Sequence, residues 1–274
     1  MLKIEFQRAF FSKRLLIAII AGCAITLYQI YLYQSINDNT QTYETAIFYE
    51  KDLMMQTDFL WGSWIGGETM LFNGFLFFLV FPILASFPFA NSYMQDEKNG
   101  YMRSVFTRIS KSTYFLAKWL ATFFSGGVAV TIPLVFNFVI MTMIYPIVGP
   151  FVESGVSGVL DVNTFSSLFY KSPLLYVVLF ILIIFVFGGS FSTFSLIVSF
   201  FTDYSFIILL FPFLIIMFLS MLLELFDLAD LSPQVFLYPA QSEISVSILW
   251  LLMIALISVS LIYFFYANIK GEKF

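Results

Sequence analysis

Residues 173–201 read PLLYVVLFILIIFVFGGSFSTFSLIVSFF, without one Asp, Glu, Lys or Arg. A helix rising about 1.5 Å per residue needs roughly 20 apolar residues to cross a hydrocarbon core of about 30 Å. The stretch is long enough to do so. Alternate positions are equally apolar, whereas a β-barrel strand would keep its lumen-facing positions polar. A membrane-spanning helix is therefore predicted.

Five further stretches outward from this one follow the same rule: 15–33, 70–93, 114–145, 206–226 and 244–267, the third carrying Lys118 near its start. The predicted fold is an all-α integral membrane bundle of six transmembrane helices, one domain over residues 1–274, with residues 1–14 as an interfacial segment. Composition agrees. The chain is 60% hydrophobic and 11% charged, where soluble domains carry charges at about a quarter of positions. The net charge of −4 gives no footing for a nucleic-acid partner. There is no histidine and one cysteine, Cys23, which excludes Ser-His and Cys-His catalysis, histidine metal sites and an internal disulfide.

Loops that stay in the cytoplasm are enriched in Lys and Arg. Every one of the 13 basic residues except Lys51 and Lys171 precedes the first span, lies between or just inside spans two and three, or follows span six. Both termini are thus expected in the cytoplasm, with external segments at about 34–69, 146–172 and 227–243 that hold most of the acids. The run Ile20-Ala21-Gly22-Cys23 has the form of a lipoprotein cleavage site. Because the apolar run continues to Tyr33, an intact span is the stronger reading.

No ionisable side chain falls near the centre of any span, and Lys118 is placed within snorkelling reach of the cytoplasmic face. Carriers driven by a buried titrating group, aspartyl or serine intramembrane proteases and P-loop nucleotide binding by this chain all lose their support. A lipid-directed membrane enzyme would need more polar groups at one interface than Asp203, Tyr204 and Ser205.

Between spans two and three, on a helical wheel of about 100° per residue, Tyr101, Met102, Val105, Phe106 and Ile109 share one arc. Arg103, Ser104, Thr107, Arg108, Ser110 and Lys111 share the opposite one. An amphipathic helix over about 97–111 is predicted, lying against a membrane surface or another protein. The run Glu97-x-x-Gly100, then Thr107, Ser110-Lys111, Tyr114 and Lys118, resembles the stretch in permease subunits of type-two ABC exporters that reads approximately Glu-x-x-x-Gly-Thr, a short amphipathic helix, Thr-Pro-x-Ser-Arg, Tyr, and a Lys opening the third span. Here the glutamate is one residue closer to the glycine, Tyr101 replaces the Thr, Arg108 stands where Pro is common and Lys111 stands for the Arg. The resemblance implies that this segment is a cytoplasmic coupling helix that docks on a separate ABC ATPase subunit through Glu97, Gly100, Arg103, Val105, Phe106, Arg108 and Lys111. It implies too that ATP and Mg bind in that partner with no cofactor in this chain, and that a second permease copy or a homologous permease completes the assembly. The N-terminal segment, with Leu2, Phe6, Ala9 and Phe10 on one face, resembles the interfacial helix of such permeases, although Ile4 and Phe11 spoil a clean stripe. The resemblance also implies short helices dipping into the outer leaflet over 225–242, where the residues alone read equally well as an ordinary external loop.

The function that the resemblance implies is export of an amphipathic or hydrophobic cargo, peptide or drug, out of a bacterial cell across its cytoplasmic membrane. The alternative is a non-transport receptor or assembly protein that binds a ligand with its external loops. Ser125-Gly126-Gly127 and Gly188-Gly189-Ser190 are read as helix-packing sites. Pro82, Pro88, Pro133 and Pro212 are read as kinks, and Trp61 and Trp64 as anchors at the outer interface.

Overall fold

Hydrocarbon offers backbone groups no hydrogen-bond partner, so uncharged runs of this length satisfy themselves by coiling. The computed structural model describes residues 1–47, 60–67, 72–147, 149–150, 159, 163–238 and 245–271, and among these there is no strand. In chain order the helices are α1 (Leu2–Phe10), α2 (Lys13–Ile47), α3 (Leu60–Ser63), α4 (Phe72–Ser86), α5 (Ser92–Lys98), α6 (Tyr101–Phe106), α7 (Lys111–Ile144), α8 (Ser166–Lys171), α9 (Pro173–Val198), α10 (Ser205–Leu225), α11 (Pro233–Phe236) and α12 (Val246–Gly271). Four are long and apolar enough to cross a membrane: Lys13–Ser35 within α2, α7, α9 and α10. Gly74–Ser86 and Val246–Val259 are shorter apolar helices. The chain thus has the character of a multi-pass membrane protein. Lys51 and the acids Glu50, Asp52, Asp58, Glu68, Glu153, Asp161 and Glu243 lie outside the described residues.

The largest interface joins α7 and α9, and glycine explains it. A Cβ on Gly126 would collide with Ser192, and one on Gly188 would stand 2.6 Å from Val130 Cγ2. Gly127 faces the Phe185 ring and Gly189 the Phe123 ring, each 2.7 Å from where a Cβ would sit. Removing the side chain at these positions lets the backbones approach and maximises dispersion contact, which is what holds helices together in lipid. Gly22 does the same for α2, leaving room for the Pro133 ring of α7. Pro133 and Pro212 sit inside α7 and α10 without ending them.

The run 70–93 is not one helix. It stops at Ser86, turns through Phe87–Asn91 and resumes as α5. Pro88 accounts for the break, because it supplies no N–H to the ladder and disfavours helical geometry at Phe87. The turn lays α5 across the end of the bundle, where Lys98 Nζ donates to the Asp203 carbonyl at 2.9 Å in the α9–α10 connection.

At the opposite end Trp61 and Trp64 are not exposed anchors, being 2% and 1% accessible. The segment 60–67 folds inward against α7, its Leu60 N–H bonded to Pro146 O and its Ile65 N–H to Asn137 Oδ1 at 2.9 Å. Trp64 stands edge-on to Phe138, and Gly66 and Gly67 let the chain return across the Trp64 indole. Asn137 also donates to Gln29 Oε1 at 3.0 Å, and Gln29 donates to Ser63 O at 3.2 Å. Irregular backbone folded into the protein interior needs hydrogen-bond partners there, and these amides supply them. Residues 225–238 form short helical turns whose far end, Leu237 and Tyr238, is buried against Phe78 of α4.

Gly126→Leu or Gly188→Leu is expected to wedge α7 from α9 and cost about 1–3 kcal/mol each, read as a lowered unfolding midpoint in detergent. Gly149→Ala, with nothing within 4 Å of the added carbon, should leave the midpoint unchanged. Equal midpoints for all three variants would contradict the glycine seam.

Candidate functional site

The end of the bundle that carries α1, α5 and α6 also carries most of the described Lys and Arg side chains. α1 packs along the start of α7. Glu5 and Arg8, one turn apart, face the same way; Glu5 is fully buried and Arg8 about one-third exposed. The turn at Pro88 delivers Asp96 of α5 to the same place. Lys118, seven residues into α7 and so about 10 Å along its axis, completes the group.

The four charges balance, two against two. Arg8 Nη2 lies 2.6 Å from Asp96 Oδ1, and Arg8 Nη1 lies 2.8 Å from Glu5 Oε1 and 3.1 Å from Asp96 Oδ2. Lys118 Nζ donates to Asp96 Oδ2 at 2.5 Å and forms an ion pair with Glu5 Oε2 at 2.9 Å. The Tyr114 hydroxyl donates to Asp96 Oδ2 at 2.7 Å. Aromatic faces close the remaining directions: Tyr101 under Arg8 at 4.9 Å, Phe89 under Lys118 at 4.9 Å. Charges this deep are tolerated only when paired and hydrogen-bonded. Burial acts to raise the Asp96 carboxyl, but the hydrogen bond from Arg8, the charge and hydrogen bond of Lys118 and the Tyr114 hydroxyl together hold it below the ordinary carboxylate range.

This corrects the placement of Lys118. It does not reach to the aqueous face; its side chain is 0% accessible and neutralised inside the protein. A tether of α1 and α5 to α7 is what the arrangement provides, since each of the four charged groups forms an ion pair within it.

The tether mounts the segment after α5. A single helix over 97–111 is absent: α5 ends at Lys98, Gly100 takes a left-handed conformation (φ 67°), α6 covers six residues and Ser110 caps α7 by accepting from Thr113 N. The break follows from Gly100, which visits this region without the Cβ penalty. Sidedness nevertheless follows the wheel. Met102 and Val105 are buried with Tyr93, Tyr114, Phe115 and Phe200, and Tyr101, Phe106 and Ile109 pack on that cluster. Arg103, Ser104, Thr107, Arg108 and Ser110 are exposed. The apolar arc is thus used against the chain's own α7 and α9.

Of the residues expected to dock a partner, Glu97, Gly100, Arg103, Phe106 and Lys111 line one cavity of about 610 Å³, together with Met102 and Thr107. Val105 is turned into the core and Arg108 lies outside the cavity. Lys111 Nζ stands 5.6 Å over the Phe106 ring, so the cavity has an apolar wall, a cation at that wall, and Glu97 and Arg103 on its rim. Among the described residues, no group of three or more His, Cys, Asp or Glu is placed to hold a metal.

Sequence reasoning missed Glu5 and Asp96 as partners of Arg8 and Lys118. The signal was present: a lone lysine inside an otherwise uncharged run needs a counter-charge, and the Glu5-x-x-Arg8 spacing puts an acid and a base on one face.

Lys118→Met should leave Glu5 and Asp96 with one cation and destabilise the protein by about 3–5 kcal/mol. Adding Glu5→Gln should recover part of that loss in thermal unfolding; no recovery would contradict the pairing. Because the Asp96 carboxyl is held low, its contribution is complete above the ordinary Asp value near 4. Unfolding midpoints should stay level from neutral pH down to that point and drop only as the pH passes below it. Comparison with protein-family models, with curated proteins and with solved structures gave no match.

Proposed function

We propose that the chain is the membrane-spanning permease subunit of an ATP-driven, type-two ABC exporter in a bacterial cytoplasmic membrane. Gly74–Ser86 and Val246–Val259 would join the four longer helices as the second and sixth of six spans, with both termini and the basic end in the cytoplasm. The observation that carries the reading is the cavity lined by Glu97, Arg103, Phe106 and Lys111, set beside a buried charge cluster that ties it to α1 and α7. A partner seated there can push on α7 directly, because the mount is packed rather than hinged. ATP and Mg would belong to an ATPase partner, and two permease copies would enclose the pathway. The spans offer aromatic and aliphatic walls, which suit an amphipathic or hydrophobic cargo such as a peptide or drug.

Purified in mild detergent from its native membrane, the tagged protein should bring down a P-loop ATPase in equal stoichiometry. Arg103→Glu with Lys111→Glu should abolish that association, or cut partner ATPase stimulation at least tenfold, with an unchanged unfolding midpoint. A stable preparation with no ATPase, even after crosslinking at Arg103, would contradict the proposal and favour a receptor or assembly role.

A further inference from the structure

α1 is amphipathic in an inverted sense. Its charged pair, Glu5 and Arg8, faces the protein, whereas Leu2, Ile4 and Phe11 are exposed at 47%, 48% and 87%. Between them runs a groove of about 400 Å³ with Phe6 and Phe10 as its floor and Lys3, Gln7 and Phe11 at its edges. The two floor rings stack at 5.7 Å, and Phe6 also lies 5.7 Å from Phe124 of α7, a ring exposed on the apolar flank of that helix.

We propose that this groove is a binding site for one anionic phospholipid of the leaflet at the basic end, its acyl chain on Phe6, Phe10 and Phe124 and its phosphate at Lys3 on the groove's edge, with Lys13 at the start of α2 adding a second exposed cation to the same end. Three observations fix the occupant as lipid. Only two residues separate α1 from α2, whose first turns carry the exposed apolar side chains Leu16, Ile17 and Ile20, and Phe10 of the groove packs beside Leu15 and Ala18 of α2; Ser12 Oγ, accepting from Leu15 N at 3.1 Å, sets that elbow and starts α2. The groove therefore lies at the end of a membrane-spanning length of helix rather than out in the cytoplasm. Lys3 and Lys13 are both exposed. The acids of this corner, Glu5 and Asp96, are turned inward and neutralised, so the outward face presents cations over an apolar floor. That is the charge and shape complement of an anionic headgroup above its chain. The site stands independently of any ATPase partner.

The test uses the full-length protein in nanodiscs of phosphatidylcholine mixed with phosphatidylglycerol, released into the gas phase for native mass spectrometry. One retained phosphatidylglycerol is expected on the wild type. Lys3→Gln with Lys13→Gln, both surface changes, should lower that retention roughly tenfold or more, since each basic residue near an anionic surface contributes a several-fold factor. A spin label at Phe11→Cys in a Cys23→Ser background should be more accessible to oxygen than to a water-soluble nickel chelate. Equal retention of phosphatidylglycerol by wild type and double variant, or a label at position 11 that is open to the chelate, would overturn the proposal.

Discussion

Two buried carboxylates, a buried lysine and a partly exposed arginine, paired with one another, constrain the basic end of this molecule. Glu5 and Arg8 come from α1, Asp96 from α5 and Lys118 from α7. None could be buried without the others, because an unpaired charge at that depth costs several kcal/mol. Three helices that are far apart in sequence are thereby fixed at one point. α1 becomes part of the bundle rather than a free helix on its surface, and α6, held through Tyr101 over Arg8 and through Met102 and Val105 in the aromatic cluster, inherits the same position.

The opposite end is held by different chemistry. There neutral amides, Gln29 and Asn137, satisfy the backbone of an inward-folded segment, and Trp61 and Trp64 fill the space with rings against Phe138 and Phe169. Between the two ends runs the glycine seam of α7 and α9. Ionic pairing at one end, amide pairing at the other and bare dispersion between them suit a chain whose middle lies in hydrocarbon, where only close packing distinguishes a neighbouring helix from lipid.

How much was legible in the sequence depended on whether the controlling force was local. Uncharged length identified α2, α7, α9 and α10, and paired glycines marked packing sites on α7 and α9, because both properties are written along a single stretch; that the two sites face each other was not. The wheel over 101–111 predicted which side chains face in and which face out, yet overstated the helix, since one left-handed residue, Gly100, divides it from α5. Pro88 signalled a kink where the chain turns fully and restarts. The reading of Trp61 and Trp64 failed because their burial depends on Asn137, more than seventy residues away. The charge cluster was the most hidden, for its members are spread from Glu5 to Lys118 and pair only once α5 has been turned across the bundle.

The central claim is that α1, α5 and α7 form one body at the basic end, locked by the buried charges. Distances between spin labels at Ile4→Cys and Ser112→Cys, in a Cys23→Ser background, test it most directly. A single narrow distribution in the otherwise wild-type chain, broadened by Lys118→Met, is the predicted result. A broad distribution with Lys118 present, or one that Lys118→Met leaves untouched, would contradict it.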